Sequence, residues 1–368
     1  MKKILAALLS FVLVMSASIT AFGATTSDVD KILESSVKFA YGNKEAFDVS
    51  ESKDYYLYLL AGGYDEKIEK AYFNSVKEAL DSGKTFDIGT LSLIISNLVF
   101  SLEDPADFEG YDLLDMFEKT GLSAQDNMYT YMYAADIAFL FEYDELGKQL
   151  CDTFVSKYTM GKGTDFWGGW GTSADDLSVF IITLSTYYDE YEEYIKDAVA
   201  LLQAYNTDAG YDNYGANANS TALALAAYVS VDDSRAAEDA YNKLMLFYNK
   251  ETGGFKGGYD DIVATKDAIL GLSYYWLIAD VDDGTNENPG SSDKEEKPTV
   301  PVVNIKDKTD NKENASPDNK TTESSTKTEK EPQAPAKSPA TGAQTAALAV
   351  IAMLAAGGVM LAARKKEN

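Results

Sequence analysis

A glycine-rich turn recurs three times in the second half of the chain, each time directly before an apolar segment. The copies occupy residues 166–177, 210–225 and 253–270, and alignment on Ala174, Asn219 and Thr265 gives spacings of 45 and 46 residues. Fainter copies begin near residues 86 and 126. A period of this length holds two helices and two turns, so the repeat predicts about six helical hairpins.

Apolar residues between these turns recur at steps of three and four positions, as at Leu91, Ile94, Ile95 and Leu98. This spacing is typical of helices that bury one face. Runs in which apolar and polar residues alternate are few. The pattern predicts an all-α domain over residues 25–283.

The N-terminus has the pattern of a secretory signal peptide. Lys2 and Lys3 precede an apolar run over residues 4–15, and small residues suited to a signal peptidase follow. We predict a signal peptide over residues 1–24 and export of the remaining chain.

The C-terminus resembles a sortase sorting signal. Its pentapeptide is Ser338, Pro339, Ala340, Thr341 and Gly342. An apolar segment over residues 343–363, long enough to cross a bilayer, and a basic tail over residues 364–368 follow it. Leu is commoner than Ser at the first position. The resemblance implies that a sortase cleaves after Thr341 and joins this residue to peptidoglycan, so the expected location is the cell wall of a Gram-positive bacterium. Residues 343–363 would hold the chain in the membrane until cleavage.

The composition changes abruptly after residue 283. Residues 284–337 contain no aromatic side chain and consist mainly of Lys, Glu, Asp, Thr, Ser, Asn and Pro. Such a segment cannot bury a core, and its mixed charges and prolines favour an extended chain. We predict a disordered linker that spans the wall.

The repeated turn resembles the repeat of the terpenoid cyclase and protein prenyltransferase superfamily. The resemblance lies in the Gly-Gly-Phe and Gly-Tyr turns and in the Ser-Thr-Ala-Leu-Ala-Leu run that begins at Ser220. It implies an α/α toroid over residues 27–280, and an open helical solenoid is the alternative architecture. Together with the two terminal signals, the chain is most similar to bacterial surface proteins with prenyltransferase-like repeats. Their nearest functional analogues are the cobalamin-binding toroids of intrinsic factor type.

In a toroid the repeated turns would surround one opening, where their side chains could contact a ligand. Aromatic rings would supply stacking faces, and amides would supply hydrogen bonds. Packing between hairpins is the alternative role for the aromatic residues. The candidate ligand-binding residues are Trp167, Trp170, Tyr211, Asn213, Tyr214, Asn217, Phe255 and Tyr259.

The sequence lacks the zinc site of the prenyltransferases because it contains no histidine. The single cysteine, Cys151, lies among apolar residues at helical spacing, which predicts a buried thiol. A sequence Asp-x-Asp-Asp of the kind used by triterpene cyclases occurs at residues 280–283, where the linker begins, and is interpreted as part of the linker. We therefore predict no metal site and no cofactor.

Glycoside hydrolysis is the enzymatic alternative, because it needs only two suitably spaced carboxylates. The candidates are Asp175, Asp176, Asp260 and Asp261, for which capping of the following helix is the structural alternative. The net charge of −27 disfavours nucleic acid and favours a neutral or cationic ligand. We predict a surface protein that binds a small molecule or glycan; a glycosidase and an adhesin without a cavity ligand remain open.

Overall fold

Twelve α-helices form in the part of the chain that the structure, a computed structural model, describes. This part comprises residues 24–123, 127–164, 166, 172–258 and 260–279. Two 3₁₀ helices and two short β-hairpins complete the secondary structure of these residues. The prediction of a mainly helical domain is confirmed. The predicted signal peptide up to residue 23, the linker and the sorting signal lie outside the described residues.

Six helices are buried on almost every side. In α10, for example, all residues except Asn219 are buried, and Ala, Leu, Ser and Thr dominate its sequence. Small and apolar side chains allow neighbours to approach such a helix from all directions. These six helices are α2 (Ser52–Leu60), α4 (Ile88–Phe100), α6 (Met128–Leu140), α8 (Ala174–Ser185), α10 (Ala218–Ser230) and α12 (Asp261–Trp276).

The other six helices are amphipathic and bury a single stripe. In α3 the stripe is Ile68, Tyr72, Val76 and Leu80, each one turn from the next, while the opposite face carries Lys and Glu. The amphipathic helices are α1 (Thr26–Tyr41), α3 (Glu66–Asp81), α5 (Leu113–Thr120), α7 (Asp144–Val155), α9 (Tyr188–Gln203) and α11 (Ser234–Leu244).

The buried helices pack against one another in chain order. α2 contacts α4, and the series continues through α6, α8 and α10 to α12. The last of them, α12, also contacts the first, α2. Among the amphipathic helices, α5, α7, α9 and α11 each pack on the buried helix that precedes them, and α1 packs on α12. The core therefore lies between a buried series and an amphipathic series of helices.

The glycine-rich turns carry short antiparallel hairpins. β1 (Tyr158–Thr159) pairs with β2 (Gly163–Thr164), and β3 (Asn206–Thr207) pairs with β4 (Gly210–Tyr211). Gly210 adopts φ +126°, and a Cβ there would come within 2.7 Å of the Thr221 hydroxyl. Only glycine fits this close approach of the turn to the next helix.

A threonine near the start of α10 and of α12 accepts a hydrogen bond from the turn that precedes the helix. The Tyr211 amide donates to Thr221 Oγ1 at 3.0 Å, and the Phe255 amide donates to Thr265 Oγ1 at 2.8 Å. Each pair is ten residues apart in sequence. The structure therefore makes Thr221, and not Asn219, the equivalent of Thr265.

No helix within the described residues is both long enough and apolar enough to cross a membrane. The predicted membrane segment over residues 343–363 is not among these residues.

Candidate functional site

A cavity of about 700 Å³ opens where three parts of the chain meet. One wall is the start of α6 with Tyr129, and a second is the start of α8 with Thr172 and Asp175. The third runs from the end of α9 through the β3–β4 hairpin to Tyr214. Its volume is in the range of small-molecule sites.

Asp175 is the most perturbed acid in the cavity wall. Burial raises its pKa to about 6, and the nearby charge of Asp267 adds to this shift, whereas the Ser220 hydroxyl and the Asn213 amide oppose it. Asn213 Nδ2 donates to Asp175 Oδ2 at 3.2 Å, while Oδ1 is buried without a hydrogen bond of ordinary geometry. Asp175 therefore keeps Oδ1 buried, while Oδ2 accepts the hydrogen bond from Asn213.

The local sequence explains how Asp175 comes to face the cavity. Ser173 and Asp176 form the capping box of α8: the Asp176 amide donates to Ser173 Oγ at 3.1 Å, and the Ser173 amide donates to Asp176 Oδ2 at 3.2 Å. Asp176 is consequently occupied with the helix terminus and is 1% exposed. Asp175 lies between these two residues and has no part in the cap.

Three tyrosines border the cavity in different ways. Tyr205 is fixed by its hydroxyl, which donates to the Thr172 carbonyl at 2.9 Å. Tyr129 is covered by Lys53, whose Nζ lies 4.9 Å from the ring centroid. Tyr214 is 90% exposed and adopts φ +61°, an unfavourable conformation for a bulky side chain. The Tyr214 ring is therefore open to contact by another molecule.

Behind the cavity lies a second group of charged side chains, which the sequence analysis missed. Burial raises the pKa of Asp267, and Lys53, the Asn219 amide and Lys266 oppose this shift. Asn219 Nδ2 donates to Asp267 Oδ2 at 2.8 Å, and Lys266 forms an ion pair with Asp54 at 2.8 Å. The available signal was a Lys-Asp pair in both helices, directly before the apolar run of α2 and within the apolar sequence of α12.

The structure brings together four of the predicted residues: Asp175, Asp176, Asn213 and Tyr214 all border the cavity. Of the residues that border it, the sequence analysis did not select Tyr129, Tyr205 and Thr172 as candidates. Tyr129 lies in the fainter copy of the turn that begins near residue 126, which was the signal that could have identified it.

Other predicted ligand contacts lie elsewhere. Tyr211 and Phe255 are fully buried in the core, where the Tyr211 hydroxyl donates to that of Tyr228 at 3.0 Å. Asn217 caps α10 by accepting from the Ser220 amide at 2.9 Å. Their roles here are in packing and capping. Trp167, Trp170 and Tyr259 are outside the described residues, as are Ser338, Pro339, Ala340, Thr341 and Gly342.

The remaining two acidic candidates serve the start of α12. Asp260 accepts from the amides of Ile262 at 2.7 Å and Val263 at 3.0 Å, and Asp261 accepts from the Gly257 amide at 2.8 Å. Both are helix-terminus contacts. Neither residue borders the cavity.

Among the residues described, no three or more acidic, histidine or cysteine side chains cluster in a way that could hold a metal ion. Cys151 is fully buried, and burial raises the pKa of its thiol well above the ordinary value. The chemistry that the cavity offers is hydrogen bonding by carboxylate and amide groups, together with contact by aromatic rings.

Comparison with known proteins does not assign this chain to a group. No protein-family model matches it. A comparison with curated protein sequences likewise finds no significant match.

Proposed function

We propose that this protein is displayed on the cell wall of a Gram-positive bacterium and that its helical domain binds a small-molecule or glycan ligand. The location rests on the signal-peptide pattern and on the sorting signal around Thr341. The binding role rests on one observation above all: the exposed Tyr214 ring and the half-buried Asp175 carboxylate border the same cavity.

We further propose that the helices form the α/α toroid that the family resemblance implies. The contact between α12 and α2 supports this architecture, because the first and last helices of an open solenoid stay apart. The alternation of buried and amphipathic helices supports it too, since an inner ring is covered on all sides and an outer ring on one. In this architecture the cavity lies at the end of the ring where the glycine-rich turns precede the inner helices.

The turn geometry supports binding at this place. Rings of Tyr205 and Tyr214 offer apolar faces with polar tips, which suit the flat faces of a sugar or of another ring. Asp175 and Asn213 supply an acceptor and an amide beside them. A few polar groups in a concave, partly aromatic wall are typical of small-molecule sites.

Glycoside hydrolysis is a second candidate, because the pKa of Asp175 is raised to about 6, as a general acid requires. Asp267 would be the second carboxylate, since its charge acts on Asp175. Asp176, Asp260 and Asp261 are less suited, because each already accepts a hydrogen bond from a backbone amide at the start of a helix. Hydrolysis of a captured glycan by the wild type, abolished in Asp175→Asn, would favour this candidate over simple binding.

Native mass spectrometry of the full-length chain tests the proposed function. The protein is offered a pool of corrinoids, glycans, wall fragments, isoprenoids and small amines, and retained masses are recorded. We expect one class to be captured by the wild type and lost in Tyr214→Ala. Leu246→Ala is the matched control, because Leu246 is also strongly exposed, at 66%, but does not border the cavity.

Two results would count against this function. One is the absence of any captured mass. The other is equal capture by the Tyr214 and Leu246 variants, which would place the ligand elsewhere. Adhesion to cells that survives both substitutions would then support the adhesin alternative.

A further inference from the structure

The charged residues that border the cavity are all acidic. Asp175, Asp176 and Asp212 border it, and no lysine or arginine does so among the residues that the structure describes. Within that same part of the chain, neither Asp175 nor Asp212 forms an ion pair. The cavity therefore exerts a negative potential on anything that enters it.

The hydrogen bonds of these carboxylates come from neutral groups. Asn213 donates its amide to Asp175, and the Gly215 backbone amide donates to Asp212 Oδ1 at 2.8 Å. Such donors satisfy lone pairs but leave the negative charge in place. Behind the cavity the charges are instead compensated, because Lys266 Nζ lies 2.8 Å from Asp54 Oδ1 and forms an ion pair with it.

The aromatic groups add a second attraction for positive charge. The faces of tyrosine rings attract ammonium groups through the ring quadrupole. The protein already uses this interaction at the cavity wall, where Lys53 Nζ lies 4.9 Å from the centroid of Tyr129. The exposed ring of Tyr214 has no such partner among the described residues and borders the same space as Asp175.

From these contacts we infer that the ligand of this cavity carries an organic ammonium group, held between the Asp175 carboxylate and the Tyr214 and Tyr205 rings. An anion would be repelled by the carboxylates. A bare metal ion would need a cluster of acidic ligands, and the described residues do not provide one. A neutral ligand would leave the charge of the half-buried Asp175 without compensation. The inference rests on the proposed binding function and narrows its ligand class.

A matched pair of probes tests this inference: choline and 3,3-dimethylbutan-1-ol, which have the same shape and differ in charge. Calorimetric titrations use the full-length chain at about pH 8, above the pKa of about 6 at Asp175. We expect saturable binding of choline, at least about tenfold weaker binding of the neutral alcohol, and weakening by salt.

Three variants locate the choline site. Asp175→Asn removes the charge but keeps the shape, and we expect it to weaken choline binding roughly tenfold. Tyr214→Leu removes the ring face, with an expected loss of roughly fivefold. Leu246→Ala is expected to bind choline like the wild type.

The inference is overturned if choline does not bind, if the neutral alcohol binds equally well, or if Asp175→Asn leaves choline affinity unchanged. These failures differ from failure of the proposed function. A neutral glycan captured by the wild type and lost in Tyr214→Ala would overturn the ammonium inference while leaving the binding function intact.

Discussion

Asp136 should make the free energy of unfolding of the helical domain decrease as the pH rises from about 4 to about 7. This residue lies in α6, is 8% exposed, and accepts a hydrogen bond from Thr186 Oγ1 at 3.3 Å. Burial raises its pKa from 3.8 to about 7, against a smaller opposing effect of the Thr186 hydroxyl. The folded chain therefore keeps this proton over a pH range in which the unfolded chain has lost it. The free energy of unfolding decreases as the pH rises through this range.

The size of the effect follows from the shift, which is about three pKa units, at about 1.4 kcal/mol per unit. The ionised carboxylate therefore costs the folded state about 4 kcal/mol above pH 7. Asp136→Asn removes the ionisation and keeps an acceptor for Thr186. We expect this variant to be more stable than the wild type by up to about 4 kcal/mol at about pH 8, and to differ little at about pH 4.

Urea unfolding followed by circular dichroism, at both pH values, measures this difference. Asp107→Asn, on an exposed turn, controls for the loss of one negative charge from an acidic protein. The control should change stability slightly and equally at both pH values. An equal effect of Asp136→Asn at both pH values, or destabilisation of the protein at the higher one, would contradict a raised pKa of Asp136.

Three further predictions concern packing, the thiol and anchoring. Gly271→Ala should lower the free energy of unfolding by about 2 kcal/mol in urea titrations, because the new Cβ would lie 2.5 Å from the Ala222 carbonyl oxygen. Gly258→Ala, which meets no atom within 4 Å, should leave it unchanged, and equal effects would contradict the packing. Cys151 should resist thiol reagents in the folded protein and react after unfolding, as a colorimetric thiol assay would record; rapid native labelling would contradict its burial. Thr341→Ala should abolish wall attachment in a Gram-positive host, and an unchanged wall-bound fraction by cell fractionation would exclude sortase anchoring at this residue.

The helices could be predicted because their burial follows directly from local spacing. Leu91, Ile94 and Leu98 recur at helical steps, and all three are buried in α4. The order of packing is harder to obtain from sequence. It depends on contacts such as the ion pair between Lys266 and Asp54, whose partners are 212 residues apart.

Part of the candidate site could also be predicted from the local sequence. Asp175 and Tyr214 were identified because they are an acidic and an aromatic residue within the repeated glycine-rich turn segments, which a sequence displays directly. Tyr211 lies in the same kind of turn. Its amide donates a hydrogen bond to Thr221, but its ring is buried in the core. A sequence does not reveal on which side of such a turn each ring lies. Asp267 was missed because its effect on Asp175 depends on packing between separate helices.

The affinity of the captured ligand for the wild type and for Tyr214→Ala shows whether the ligand occupies this cavity. Calorimetry on the full-length chain gives both values, with Leu246→Ala as the control. If the cavity between α6, α8 and the β3–β4 hairpin is the binding site, Tyr214→Ala should weaken binding about tenfold, while Leu246→Ala binds like the wild type. Equal affinity in all three proteins would contradict the claim that this cavity holds the ligand.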